Sequence, residues 1–88
     1  MKVLAISTNT GDPTAYVAEE NARVEDLVRQ GVIERVLVKA DWSGAALLLD
    51  VPDVDTARAT VSALPIAAHG LTHFDLTPVV EPPRPAGV

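Results

Sequence analysis

The feature that most constrains this chain of 88 residues is the run AALLLDV at residues 45–51. A strand with one wet face alternates apolar and polar residues, whereas a strand covered on both faces is continuously apolar. The run therefore predicts a central strand. A chain this short buries only about two thirds of its unfolded surface. We therefore expect its own helices to cover one face of the sheet and a second subunit to cover the other.

Three further strands are predicted, at residues 2–8, 32–40 and 71–79. The first is apolar and ends in the turn sequence NTGDP. The second carries charges near its ends, which is typical of an edge strand. The last alternates with period two, so His73 and Asp75 share one face and Phe74 lies on the other.

Two helices are predicted between these strands. Asp12 is a good N-cap and Pro13 suits the first helical position, while Gly31 occupies the position of a glycine that closes a helix. Asp53 caps the second helix. Pro65 is expected to end that helix, and the residues IAAHG after it to form a loop.

The order β-α-β-β-α-β predicts an α+β, ferredoxin-like fold with both helices on one face of an antiparallel sheet. The other face is left bare. Two copies stacked sheet to sheet, as a dimeric α+β barrel, would cover it, so we expect a homodimer or a higher homo-oligomer. This domain takes residues 1–80, and residues 81–88, EPPRPAGV, form a proline-rich C-terminal tail.

Composition excludes several classes of function. The net charge is −5 and the basic residues are scattered singly, so no nucleic-acid surface is expected. The absence of cysteine excludes disulfides, Fe–S clusters and thiolate zinc sites. The first residues, MKVLAISTNTGDP, contain no apolar run long enough for a signal peptide or a membrane span. A cytoplasmic protein that acts on a small molecule, away from membranes, is the expectation.

The two histidines, His69 and His73, have the spacing of metal ligands on a helix. However, Pro65 precedes them, Gly70 separates them, and the residues that follow alternate as a strand does. This spacing therefore does not bring them together on a helical face. We expect neither a metal nor another cofactor.

Proton transfer is the alternative chemistry for these residues. A carboxylate on the same strand face orients an imidazole and raises its basicity, so His73 is a candidate general base and Asp75 its orienting group. Lys39, or His69, would stabilise a developing enolate oxygen. Equally, His73 and Asp75 could be a pair satisfied by neighbouring strands or exposed near a strand end, and Lys39 a solvated edge residue.

Further residues are candidates for substrate binding. They are His69, Trp42, Tyr16, Glu20 and Phe74. The two large aromatic side chains could wall a pocket, but Trp42 could instead fold over the core rim and Tyr16 could point its hydroxyl into water. A pocket between sheet and helices would be lined by Phe74, and one between two stacked sheets by His73 and Asp75.

The sequence from Gly31 to Val79 resembles the muconolactone isomerase family. The shared features are the helix-ending Gly31, a strand ending LLLDV, a helix closing on LP at Leu64 and Pro65, and a last strand ending LTP. The resemblance covers most of the chain from about Ala22 onward. The second strand, VLVKA, is aliphatic where such isomerases are aromatic and basic.

This resemblance implies a ferredoxin-like subunit, an obligate dimer, and a cofactor-independent isomerisation of a small unsaturated lactone by a proton shift next to a carbonyl. Glu20 matches an acidic position in the first helix of the family. The wider superfamily also contains cofactor-free monooxygenases, polyketide-tailoring enzymes and small ligand-binding regulators.

Three functions are therefore open. The first is the isomerase, with His73 as the base. The second is a cofactor-free monooxygenase that uses Trp42 or Tyr16 against an aromatic substrate. The third is a non-catalytic dimeric ligand-binding module, in which His73 and Asp75 would be packed or solvent-facing with no adjoining cavity.

Overall fold

The structure is a computed structural model that describes residues 1–83. Residues 81–83, at the start of the predicted proline-rich tail, form no regular secondary structure. The rest of that predicted tail, residues 84–88, lies outside the described residues.

A four-stranded antiparallel sheet and a layer of helices make up the described chain. The elements are β1 (Lys2–Asn9), a 3₁₀ turn (Thr14–Tyr16), α1 (Val17–Arg29), β2 (Ile33–Val38), β3 (Ala45–Asp50), α2 (Val54–Ser62), α3 (Pro65–Ala68) and β4 (Thr72–Val79). The strand order is β2-β3-β1-β4. This α+β architecture is compatible with a ferredoxin-like fold, and β3 is interior and β2 an edge strand, as predicted. Two short helical segments add to the two predicted helices.

The predicted start of the first helix is wrong by several residues. The Asp12 carboxylate accepts a hydrogen bond from the Thr14 backbone N–H at 3.0 Å, two residues ahead. This contact closes a local turn, and a 3₁₀ segment follows it before α1 begins at Val17. The helix is shortened because aspartate hydrogen-bonds to nearby backbone groups outside helices as readily as it caps them.

The predicted end of the first helix at Gly31 and start of the second at Asp53 are confirmed, whereas the second helix, α2, ends at Ser62, three residues before Pro65. Gly31 has a φ of +78° after the end of α1, and its N–H donates to the Val28 carbonyl at 3.0 Å. Few residues other than glycine adopt this backbone conformation, which is why glycine commonly ends helices. Asp53 caps α2, since its carboxylate accepts from the Thr56 N–H at 2.7 Å.

The loop expected after Pro65 is in fact a one-turn helix, α3, over Pro65–Ala68. Proline is favoured at the first position of a helix, where the missing N–H has no partner in any case. The next residue, Ile66, donates its N–H to the Glu20 carboxylate at 3.0 Å. A contact from a distant part of the chain thus supports a helix that is too short to be stable alone.

The core lies between the helices and one face of the sheet. Its buried residues are Val3, Ala5, Leu27, Ile33, Leu47, Leu49, Val51, Ala57, Val61, Leu64 and Phe74. All but Phe74 are aliphatic, in a chain that has only one Phe, one Tyr and one Trp. Burial at every second position of β1 and β3 identifies this as the helix-facing side of both strands.

The opposite side of the sheet, here called the open face, has no helix on it among the described residues. Its centre is apolar and consists of Leu4, Ile6, Leu37, Ala46 and Leu48, which the strand register brings side by side. Leu37 is 55% exposed and Ile6 is 36% exposed. At one end Lys2 forms ion pairs with Glu34 and Asp50.

Candidate functional site

A cavity of about 210 Å³ lies between α1, α3 and the helix-facing side of the sheet. Most of its wall is apolar, including Val17, Val24, Leu47, Ile66 and Phe74. Ligand pockets are typically apolar clefts with a few placed polar groups, and this cavity has that composition. Its polar groups therefore decide what it can bind or transform.

The end of the cavity near the turn between β2 and β3 is shaped by a close contact between Gly44 and Ser7. A Cβ atom on Gly44 would lie 1.9 Å from the Ser7 carbonyl oxygen, so only glycine permits this approach. The Ser7 hydroxyl accepts a hydrogen bond from the Ala45 N–H at 2.8 Å. Ser7 is thus occupied in holding β3 against β1.

Glu20 is the ionisable side chain of this cavity, and no other acidic or basic residue lines it within residues 1–83. The side chain is half-buried in the first turn of α1 and accepts the hydrogen bond from Ile66. Burial raises the pKa of Glu20 above its usual value, against a smaller opposing effect of the Ile66 N–H. A carboxylate with a raised pKa in an apolar cavity is suited to proton transfer near neutral pH.

Thr72, at the start of β4, contributes a hydroxyl group to the same cavity. Its Oγ1 atom is buried and has no hydrogen-bond partner among the described residues. A buried hydroxyl left unpaired costs about 1–3 kcal/mol, so a bound molecule that satisfies it would gain affinity.

Trp42 stands at the mouth of the cavity, in the turn between β2 and β3, and is 79% exposed. Its φ of +63° is the one positive value at a non-glycine position in residues 1–83. The Trp42 N–H donates to the Lys39 carbonyl at 2.8 Å, and the Asp41 carboxylate accepts from the Ser43 N–H at 3.0 Å, which together fix the turn. Such a conformation costs a bulky residue about 1 kcal/mol or more. A strained, exposed aromatic beside a cavity is the arrangement expected of a binding residue.

Three of the predicted substrate-binding residues, Glu20, Trp42 and Phe74, line the cavity together. The other two, Tyr16 and His69, stack on each other with ring centroids 3.8 Å apart and an interplanar angle of 16°. Their stack joins the segment before α1 to the end of α3, next to the cavity rather than in its wall. Their predicted part in substrate binding stays a prediction.

The predicted catalytic residues lie on the open face. His73 Nε2 is 3.2 Å from Asp75 Oδ1, as their spacing on one strand predicts, and both side chains are largely exposed, at 66% and 77%. Lys39 donates to the Thr8 hydroxyl at 2.9 Å, and Thr8 is paired with His73 in the sheet. The structure therefore brings the three near one another, but on the side of the sheet away from the cavity. Their catalytic role stays a prediction.

No three side chains of histidine, aspartate or glutamate converge as metal ligands in residues 1–83. None of the helices in that part of the chain has the length and apolar character needed to cross a membrane.

Several residues of the cavity escaped prediction from the sequence. They are Ser7, Asn9, Asn21, Ile66 and Thr72. The alternation of β4 was a usable signal, because it sets Thr72 on the same face as Phe74. No comparable signal marks Ile66, whose position depends on the unpredicted helix α3.

In comparisons with known proteins, no family model matches the chain and no curated protein matches it. The resemblance to muconolactone isomerases thus rests on the motifs alone.

Proposed function

We propose that this chain is a cytoplasmic, homodimeric, cofactor-independent isomerase that resembles muconolactone isomerase. It moves a proton next to the carbonyl of a small unsaturated lactone or related cyclic compound. The observation that supports this proposal most is Glu20, a half-buried carboxylate in an otherwise uncharged, mostly apolar cavity.

In the proposed reaction, the Glu20 carboxylate removes a proton from the carbon next to the carbonyl. The electrons of the broken C–H bond form a C–C double bond, and the carbonyl becomes an enolate. The protonated Glu20 then returns the proton to the far end of the conjugated system, where a new C–H bond forms. The proton count balances, and no oxidant or other reactant is needed.

The enolate oxygen requires a hydrogen-bond donor, because negative charge develops there in an environment with little water. The Thr72 hydroxyl, which has no hydrogen-bond partner within residues 1–83, is a donor available for this role in the cavity wall. Phe74 and Trp42 would hold the ring of the substrate by packing against it.

Dimerisation is the second part of the proposal. The apolar centre of the open face, with Leu37 at 55% exposure, is a surface that a second copy would cover by stacking sheet on sheet. The two copies would form the dimeric α+β barrel expected from the sequence. In that arrangement His73, Asp75 and Lys39 would lie at or near the interface.

The test uses α-angelica lactone, a neutral β,γ-unsaturated lactone whose conversion to its conjugated isomer follows this chemistry. We expect Glu20→Gln to lower kcat/KM by at least about 100-fold, since general acid–base groups contribute 10²–10⁴-fold. The matched control is Glu19→Gln, which removes the same charge from the adjacent, exposed position and should leave the rate within about twofold. Equal rates in wild type and Glu20→Gln would contradict the proposal.

The same assay decides between the two faces of the sheet. If His73→Ala, rather than Glu20→Gln, removed the reaction and its pH dependence, proton transfer would be assigned to the open face. If His73→Ala had no effect, the predicted role of His73 as the base would be wrong.

A non-catalytic ligand-binding module is the second candidate function. The observation that favours it is the exposure of His73 and Asp75, neither of which lines the cavity between the helices and the sheet. Saturable binding of lactones without turnover in wild type would support it against the isomerase. Oxygen consumption with phenols would instead support the monooxygenase alternative, for which Trp42 at the cavity mouth is the relevant feature.

A further inference from the structure

The cavity carries no positive charge from residues 1–83, and its one ionisable lining residue is an acid. Three basic side chains near the cavity form ion pairs or hydrogen bonds with other residues. Arg23 and Arg29 of α1 both form ion pairs with Asp26, and Lys39 donates to Thr8 on the open face. A negatively charged ligand would therefore meet no counter-ion among these side chains.

An anion would lose hydration on entering this cavity and would gain no ion pair in return. Transfer of an unpaired charge into apolar surroundings is far more costly than transfer of a neutral polar group. The Glu20 carboxylate would add repulsion, because two like charges within a few ångströms disfavour each other strongly at the low effective dielectric of a partly buried site. Both effects act against carboxylates.

A neutral polar ligand meets suitable partners instead. The Thr72 hydroxyl has no hydrogen-bond partner in the described part of the chain, and Asn9 and Asn21 supply neutral amide groups. Trp42 offers a flat aromatic surface at the mouth. The 210 Å³ volume holds about ten non-hydrogen atoms, if each takes roughly two thirds of the volume of a water molecule.

We propose that the cavity selects uncharged ring compounds that carry a carbonyl or hydroxyl group, such as small lactones, cyclic enones and phenols, and rejects their carboxylated counterparts. This selectivity rests on the proposed function, in which the cavity is the substrate site. Thr72 pairs with the ligand oxygen and Trp42 packs against the ring.

The experiment compares benzamide with benzoate, which have nearly the same shape but differ in charge. Because Trp42 is the one tryptophan of the chain, its indole N–H signal in ¹H–¹⁵N NMR titrations reports on the cavity mouth. Val17→Lys adds a cation at the cavity wall, where Val17 is 41% exposed. Val28→Lys is the matched control, since Val28 is 44% exposed on the same helix but does not line the cavity. It lies in an adjoining groove that shares Asn21, Val24 and Val36 with the cavity.

In wild type we expect benzamide to bind at least about tenfold more tightly than benzoate, given the size of short-range charge repulsion. Val17→Lys should tighten benzoate binding at least about threefold by supplying a counter-ion, and Val28→Lys should not. Thermal melts verify that both variants are folded.

The inference is overturned if wild type binds benzoate as tightly as benzamide. It is also overturned if Val28→Lys tightens benzoate binding as much as Val17→Lys does. Absence of any shift of the indole signal with benzamide, up to the solubility limit, would overturn it as well. Selective binding of benzamide without isomerisation of α-angelica lactone would sink the proposed isomerase and leave the charge selectivity standing. Isomerisation of α-angelica lactone without a preference for benzamide over benzoate would overturn the charge selectivity and leave the proposed isomerase standing.

Discussion

Glu20 in the first turn of α1 accepts a hydrogen bond from the backbone N–H of Ile66, 3.0 Å away in the first turn of α3. Both residues line the cavity. The carboxylate thus holds α3 in place with one oxygen, and in the proposed reaction the other oxygen would contact the substrate. Partial burial raises the pKa of Glu20, whereas the hydrogen bond from Ile66 acts in the opposite direction and is the smaller effect.

The raised pKa of Glu20 predicts a specific pH dependence of stability. The folded chain binds a proton at Glu20 more tightly than the unfolded chain does. Protonated Glu20 therefore stabilises the fold fully below the ordinary pKa of 4.5. That stabilisation is lost as the pH rises through the higher pKa of the folded chain. Glu20→Gln does not titrate. We therefore expect the free energy of unfolding of Glu20→Gln, relative to wild type, to increase between pH 4 and pH 7 in urea denaturation.

The lowered pKa values of Asp12, Asp41 and Asp53 favour the opposite trend in absolute stability. These three aspartates are present in both wild type and Glu20→Gln, so their effects cancel in the difference between the two unfolding free energies. A difference that stays constant, or falls, between the two pH values would show that Glu20 is not perturbed by burial. Glu19→Gln serves again as the control and should show no such trend.

Most of the fold was predictable because its signals are local. Period-two alternation identified β4, the uninterrupted apolar run identified β3 as interior, and Gly31 and Asp53 marked helix ends through their own backbone and side-chain chemistry. The short helix α3 was missed because part of what supports it is the carboxylate of Glu20, a contact between distant parts of the chain. No pattern in the residues of α3 reveals that partner.

The candidate site was predictable only in part for a similar reason. Alternation correctly separated His73 and Asp75 from Phe74, but which face of β4 meets a cavity depends on where the helices pack. Glu20 was singled out by a family resemblance, whereas its burial arises from tertiary contacts. Trp42 was a candidate from its residue type, but its positive φ depends on how the turn closes.

Gly44 and Gly31 should respond very differently to substitution by alanine. At Gly44 the new Cβ would lie 1.9 Å from the Ser7 carbonyl oxygen, a backbone atom that cannot move without separating β1 from β3. We expect Gly44→Ala to cost about 3 kcal/mol of unfolding free energy. Gly31→Ala meets no atom within 4 Å and should cost about 1 kcal/mol, from its φ of +78° alone. Urea denaturation measures both, and equal losses would contradict the proposed contact.

The proposed dimer predicts that a charge at the centre of the open face blocks association. Leu37, paired with Ala46 across β2 and β3, would be buried between the two sheets, so Leu37→Glu should weaken the dimer by roughly 100-fold or more. Val28→Glu, at an exposed apolar position on α1, is the control and should not weaken the dimer. Sedimentation equilibrium measures both. A monomeric wild type, or an intact dimer in Leu37→Glu, would exclude this interface.

Replacement of Trp42 should lower the affinity for ligands without lowering the stability of the fold. Its side chain is 79% exposed and its φ is +63°, so Trp42→Gly loses little packing and relieves backbone strain. We expect the free energy of unfolding to stay unchanged or rise by up to about 1 kcal/mol, because relief of strain is offset by the greater freedom of glycine in the unfolded chain. Benzamide affinity should fall roughly three- to tenfold through the loss of aromatic packing.

Because Trp42→Gly removes the indole signal, its affinity is followed through the backbone amides of Thr72 and Phe74 in the cavity wall. Trp42→Phe keeps an aromatic ring and the strained backbone, so it should retain most of the affinity and gain no stability. If Trp42→Gly instead lost more than about 1 kcal/mol, Trp42 would be a packing residue of the turn. Its conformation would then be a requirement of the fold, and the strain would not point to ligand binding.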